Sequence, residues 1–245
     1  MKIFDHHQHV GWYSDGYHSP SEIWRTKEDV GLSDIAVSST STCAELYKLV
    51  VREMLELKRL GGNQVHPFLW LTPRMMCTWG IRFMLHSKVK WEGIKMHWQI
   101  HREWYYNHKL SQRAVEIARI LSVPILLHTG EFKECSSQIF IPLIKSNSDI
   151  TFILAHGRPI NEAMQVLREC PNCMVDTAFM PIEHICELVE NGIGNRILFG
   201  TDAPIDRVFG IGRNSADYIK KCILEIRSSL PALVADKILE RTILT

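Results

Sequence analysis

The sequence predicts a mixed α/β chain folded as a single-domain (β/α)8 barrel, on three observations. Short apolar runs alternate with longer amphipathic segments from end to end, and eight such runs can be counted. Eight strands separated by helices require parallel pairing through right-handed crossovers. The length, 245 residues, is the size such a barrel needs. An open doubly wound sheet is the competing architecture, but the glycine-rich phosphate turn that would follow its first strand is absent.

Strands are expected near residues 2–9, 34–38, 64–71, 91–97, 123–128, 151–155, 173–177 and 196–201. The segment 44–57 carries an apolar stripe through Leu46, Val50 and Leu57, and Gly61-Gly62 gives its helix a stop signal. The pattern returns over 111–120 ahead of the fifth strand. It returns again over 161–170 ahead of the seventh, with Asn161 or a neighbour as the N-cap. Helices over 214–228 and 232–239 close the chain. The segments 72–87 and 98–107 exceed ordinary connections and are read as loops that wall a pocket. No internal repeat, low-complexity stretch or linker interrupts the chain, and no segment is left for a second domain. One domain over 1–245 is therefore expected.

Composition excludes several classes. With 28 basic and 27 acidic side chains the net charge is near +1, which argues against a nucleic-acid surface or a polybasic membrane patch. No apolar run reaches the roughly 18 residues that span a bilayer. The N-terminus lacks the basic and apolar regions of a signal peptide. The 7 cysteines are odd in number and scattered, which points to a reducing, cytoplasmic setting rather than a disulfide framework. Cys170 and Cys173 form one close pair, but no second pair with zinc-knuckle spacing exists. They are read as small buried residues near a turn.

Candidate chemistry gathers at strand ends. In Asp5-x-His7-x-His9 the two histidines share a face, because side chains alternate along a strand. His128, His156 and Asp202 end later predicted strands. In such a barrel the C-terminal strand ends carry the active site. Imidazole nitrogens and a carboxylate suit a divalent metal, zinc first and manganese second. Asp5 is read as a deeper support on the same face, holding a ligand histidine or a barrel cation. His6 is read as turned away against a helix. A single strand histidine is ordinarily a hydrogen-bonded core residue, and His66, His86 and His184 are read so. Five metal-binding types at one barrel end need five coincidences.

Together these pieces resemble the amidohydrolase superfamily of TIM barrel enzymes, and within it the amidohydrolase-2 type. They are Asp5-x-His7-x-His9, Gly93-Ile94-Lys95-Met96-His97, Leu127-His128-Thr129-Gly130, Ala155-His156-Gly157 and Leu198-Phe199-Gly200-Thr201-Asp202-Ala203-Pro204. The resemblance implies a mononuclear site held by His7, His9, His128 and Asp202. Asp202 would double as general base and acid. His156 would polarise the substrate carbonyl or bind a second metal. Lys95 would bridge two metals, bind a substrate carboxylate or pair with Asp5, and the substrate or cation role is preferred. The reaction implied is metal-dependent hydrolysis of an amide, lactone or ester in a small, acidic substrate. A non-oxidative decarboxylase or hydratase of an aromatic or unsaturated acid is the alternative, and a catalytically silent binding barrel is the third reading.

Substrate contacts are expected from Lys95, His97 and Arg158. Arg74, Arg207 and Arg213 are weaker candidates, each equally at home in a surface ion pair. Glu131 is read as a solvated loop carboxylate. Trp12, Tyr13 and Tyr17, and Trp98 with Trp104, Tyr105 and Tyr106, would either wall the pocket or staple loops to the rim. The partner is a small molecule. A homo-oligomer is compatible with the chain, though no residue pattern specifies one.

Overall fold

The computed structural model describes residues 2–211 and 214–244. Arg213 lies outside the described residues. Strand β1 (Phe4–Tyr13) turns back into a short antiparallel β2 (Gly16–His18). Seven strands follow: β3 (Asp34–Ser39), β4 (Val65–Leu71), β5 (Gly93–Met96), β6 (Ile125–His128), β7 (Phe152–Ala155), β8 (Cys173–Asp176) and β9 (Ile197–Leu198). The sheet order is β2-β1-β3-β4-β5-β6-β7-β8-β9, and every pair after the hairpin is parallel. The segment after β9 then returns to β1. His6 N donates to Phe199 O at 2.9 Å, Asp202 N to His7 O at 2.7 Å, and His9 N to Ala203 O at 2.8 Å. These bonds curl the sheet into a barrel. All eight expected parallel strands are present; the β2 hairpin was not expected.

Helices lie between the strands. α1 (Pro20–Val30) opens on a capping box, in which Glu22 N donates to Ser19 Oγ and Ser19 N to the Glu22 carboxylate. α2 (Tyr47–Gly61) ends at Gly62, whose φ of +52° with ψ of −122° is a backbone conformation that glycine adopts readily, at the stop the glycine pair signalled. The segment 72–87 is not a plain loop. It folds into α3 (Pro73–Met76) and α4 (Trp79–Leu85), each capped by a threonine, Thr72 and Thr78. Elements this short do not display a 3.6-residue period. The segment 98–107 likewise contains α5 (Glu103–Tyr106). α6 (His108–Leu121), α7 (Ile141–Lys145), α8 (Ile160–Glu169) and α9 (Ile182–Glu190) follow. α10 (Ile205–Val208), α11 (Ser215–Ser229) and α12 (Ala232–Glu240) complete the chain. Helix α8 starts after Pro159 without a side-chain cap, so Asn161 is not its N-cap.

Two apolar layers result. The larger fills the space between strands and helices. The smaller lies along the barrel axis, where Phe4, Ala36, Phe68, Leu126, Ile153 and Leu198 pack together, with Ile243 and Leu244 against them. Gly93 makes room there: a Cβ at this position would lie 2.4 Å from the Phe68 ring. Gly93→Ala should therefore cost about 1–3 kcal/mol of stability through overpacking. Urea denaturation measures it, and an unchanged midpoint would mean that the Phe68 ring moves aside freely.

Strand β1 does not alternate cleanly. Its register against β3 slips between Asp5 and Gln8, as at a β-bulge. His6 consequently lies with Phe4, rings stacked at 3.8 Å, and bonds Arg241 O at 2.8 Å where α12 ends. It is not simply turned out against a helix face. Asp5 is also corrected. It holds neither a histidine side chain nor Lys95, but accepts from His7 N, Gln8 Nε2, Thr201 N and Thr201 Oγ1. Burial pushes its carboxyl up to about 6 against those bonds.

Candidate metal centre

The slipped register brings His7 and His9 to one point at the C-terminal end of the barrel. The Asp202 carboxylate arrives from the turn after β9. His7 Nε2 lies 3.1 Å from His9 Nε2 and 3.2 Å from Asp202 Oδ1, and His9 Nε2 lies 2.7 Å from that oxygen. This is the one convergence of its kind among the described residues, and all three are buried. A tetrahedral ion with bonds of about 2.1 Å separates its ligands by about 3.4 Å. The donor set therefore fits a divalent ion after small adjustments. Asp202 has a φ of 61° and His156 of 72°. Non-glycine residues in that left-handed region carry strain, which collects at functional sites.

Hydrogen bonds behind the rings aim their free nitrogens inward. His7 Nδ1 bonds Asp176 Oδ2 at 2.8 Å, and His9 Nδ1 faces Ser38 Oγ at 2.9 Å. His156 Nδ1 donates to Ala178 O at 3.0 Å, and His128 Nε2 to Gln99 Oε1 at 3.0 Å. That leaves His128 Nδ1 and His156 Nε2 facing each other at 3.2 Å, the latter 3.8 Å from Asp202 Oδ2. Asp202 thus stands between two groups of nitrogen donors. Gly200 allows the approach: a Cβ there would sit 3.1 Å from both His7 Cβ and Asp176 Cβ.

Electrostatics agree with a cation site. Burial lowers His9 and His156 to about 4 and takes His128 and His97 well below the usual imidazole value. These rings are neutral near pH 7. Burial would raise Asp202, but attraction to His7 and the His9 hydrogen bond outweigh it and hold the carboxyl below the usual range. Asp176 is held down in the same way by His7. Burial lowers Lys95 to about 8, although Asp202 and Asp176 oppose it.

The structure thus gathers His7, His9 and Asp202 tightly, with His128 and His156 beside them rather than in the same cluster. Lys95 reaches the centre, its Nζ donating to His7 Nε2 at 3.0 Å, on the lone pair an ion would use. His97 is stacked between the His128 ring at 3.6 Å and the Trp70 ring at 5.6 Å. Arg158 lines the cavity above, 3.8 Å from Glu131, whose side chain is exposed as expected. Arg74 instead pairs with Glu45 on the surface. The sequence reading missed Asp176. It ends a predicted strand like Asp202, and that position was its only signal. Gln99 and Ser38 carried no signal.

The centre opens into a cavity of ≈ 700 Å³, whose walls include Trp12, Tyr13, Trp70, His97 and Phe179. Trp98 is buried under the loop and Trp104 in the core, so of the second aromatic cluster these two staple rather than wall. Cys170 and Cys173 are buried free thiols. Among the described residues no helix is long and apolar enough to cross a membrane.

A family model described as Amidohydrolase matches residues 80–241. No curated protein matches the chain. Among solved structures the chain is similar to a 5-carboxyvanillate decarboxylase from Sphingomonas paucimobilis, with TM-score 0.68, 11% identity and 97% and 96% of the two chains covered. It is similar to a probable 2-pyrone-4,6-dicarboxylic acid hydrolase from Acinetobacter baumannii, with TM-score 0.63, 10% identity and 98% and 96% covered. A third likeness, TM-score 0.61 at 9% identity over 89% and 76%, is to a 5-carboxyvanillate decarboxylase from Novosphingobium aromaticivorans complexed with manganese. At these identities the likeness is one of fold.

Proposed function

Because the chain belongs to the Amidohydrolase family, we propose that it is a divalent-metal-dependent hydrolase cleaving an amide, lactone or ester bond of a small, acidic molecule. The observation that carries this reading is the buried convergence of His7, His9 and Asp202. His128 is the fourth proposed ligand, through Nδ1. Zinc is the proposed ion, and manganese, present in one of the similar structures, is the alternative. When bound, the ion supplies Lewis acidity and brings the pKa of its water to about 7. Asp202 Oδ2, away from the His9 contact, takes the water proton and returns it to the leaving group. His156 polarises the scissile carbonyl. Trp70 and His97 form the stacked wall behind the reacting group, and their rings limit water there.

Lys95, His97 and Arg158 are the proposed substrate contacts. Arg158 Nε makes no hydrogen bond and meets only the exposed Glu131 carboxylate at 3.8 Å, a loose pairing that leaves the guanidinium fork open to a substrate carboxylate. Arg158→Met should raise KM for an acidic substrate by about tenfold or more while leaving a neutral analogue nearly unchanged. An equal effect on both would remove Arg158 from that role.

Non-oxidative decarboxylation is the second reading, favoured by the buried Lys95 cation next to the donor set. Two measurements decide. Elemental mass spectrometry of protein purified without added metal should find about one ion per chain; two would make His156 a ligand, and none, even after incubation with zinc, would leave a binding barrel. Product analysis in ¹⁸O-water then separates hydrolysis, which puts the label into the organic product, from decarboxylation, which releases carbon dioxide and leaves the organic product unlabelled. A single domain in the cytoplasm belongs to the same proposal.

A further inference from the structure

The rim of the cavity carries four large exposed apolar side chains beside the charged Arg102 and Glu131. Trp12, Ile100, Phe132 and Phe209 line it, and they are 53%, 55%, 56% and 68% exposed. Trp12 stands near the end of β1 itself, and the other three come from the connections after β5, β6 and β9. Two are held in place by other rings: Trp12 lies 5.1 Å from Tyr17, and Phe209 stands edge-on to Phe179 at 6.0 Å, which in turn stacks on Tyr218 at 5.6 Å. Large apolar side chains grouped around a pocket mouth lose unfavourable hydration when a ligand covers them. Below them the demand is polar. Tyr13 Oη and Trp70 Nε1 are buried donors without a hydrogen-bond partner, and Arg158 Nε has only the Glu131 carboxylate at 3.8 Å; all three residues line this cavity. The volume of ≈ 700 Å³ lies near the middle of the range of about 300–1,000 Å³ that accommodates drug-sized ligands.

We propose that the substrate is amphipathic: an oxygen-rich head bound over His9 and Asp202, and an apolar body of several carbons against Trp12, Ile100, Phe132 and Phe209. The proposal rests on the metal-dependent reading above and narrows its substrate class. Tyr13 Oη and Trp70 Nε1 donate to oxygens of the head, and the ring-braced rim takes the body. Trp12 and Phe209 are the residues that set the preferred length.

A series of straight-chain hydroxamic acids tests it, since the hydroxamate chelates a metal and the chain reaches outward. Binding is read by calorimetry on the zinc-loaded protein, independently of turnover. Full burial of a methylene is worth about fourfold in affinity, and a rim that stays half open about twofold. From acetohydroxamate to octanohydroxamate the affinity should rise by at least about thirtyfold. In Trp12→Ala/Phe209→Ala the acetohydroxamate affinity should hold while the rise falls to about fivefold or less. Both side chains are exposed, so the double variant keeps its fold. Tight binding without length dependence would overturn the amphipathic substrate and leave the metal reading standing. A rise that survives the double variant would overturn the assignment to this rim. Failure of every hydroxamate to bind would overturn both readings together.

Discussion

Asp202→Asn is expected to lower kcat by about a thousandfold or more on whatever substrate the unaltered protein turns over. Asparagine keeps the shape of the side chain but cannot take a proton from water. A positioned general base contributes about 10²–10⁴-fold. The substitution also removes the one anionic oxygen that His7 and His9 face at 3.2 and 2.7 Å, so affinity for a dication falls as well. The two effects separate when kcat is measured at saturating zinc and metal content is read alongside. A kcat within tenfold of the original, with metal restored, would leave Asp202 as a ligand only and send the search for the base to His156.

The second large effect is expected at His7. His7→Ala removes a proposed ligand and the principal side-chain partner of Asp176, whose carboxylate is fully buried. Leaving a buried carboxylate without one of its hydrogen-bond donors costs about 1–3 kcal/mol. The lower end applies here, because Asp176 also accepts from His156 N and Ala178 N. Asp176→Asn probes the same contact more gently. It should weaken zinc by about 10–100-fold, as losing the carboxylate behind a ligand histidine does elsewhere. Competition with a fluorescent chelator measures the affinity, and urea denaturation of the metal-free proteins measures the stability. Unaltered zinc affinity in Asp176→Asn would show that the carboxylate does not orient His7.

Much of the site was legible because strand ends are legible. His7, His9, His128, His156 and Asp202 each follow a short apolar run, and parallel strands deliver such residues to one end of a barrel. What the sequence hid was set by partners far along the chain. The slip between Asp5 and Gln8 comes from how β1 meets β3 and the segment after β9, and it redirected both Asp5 and His6. The short helices over 73–76 and 79–85 are too brief to show a period. The β2 hairpin had a usable signal in Ser14-Asp15-Gly16, which carries turn chemistry. Asp176 had the same position as Asp202 but no glycine-rich flank to single it out.

The seam of the barrel ties together parts of the chain that are remote in sequence. Asp5 bonds Thr201 across 196 positions, and the backbones of His7 and His9 hold those of Asp202 and Ala203. The side chains of the same residues are the ones proposed to share an ion. Such an ion would act as a clasp on a necklace, closing a loop of nearly the whole polypeptide. The entropy of that closure grows only slowly with length. An ion at a thousand times its Kd returns about 4 kcal/mol to the folded state, and it does so at the seam.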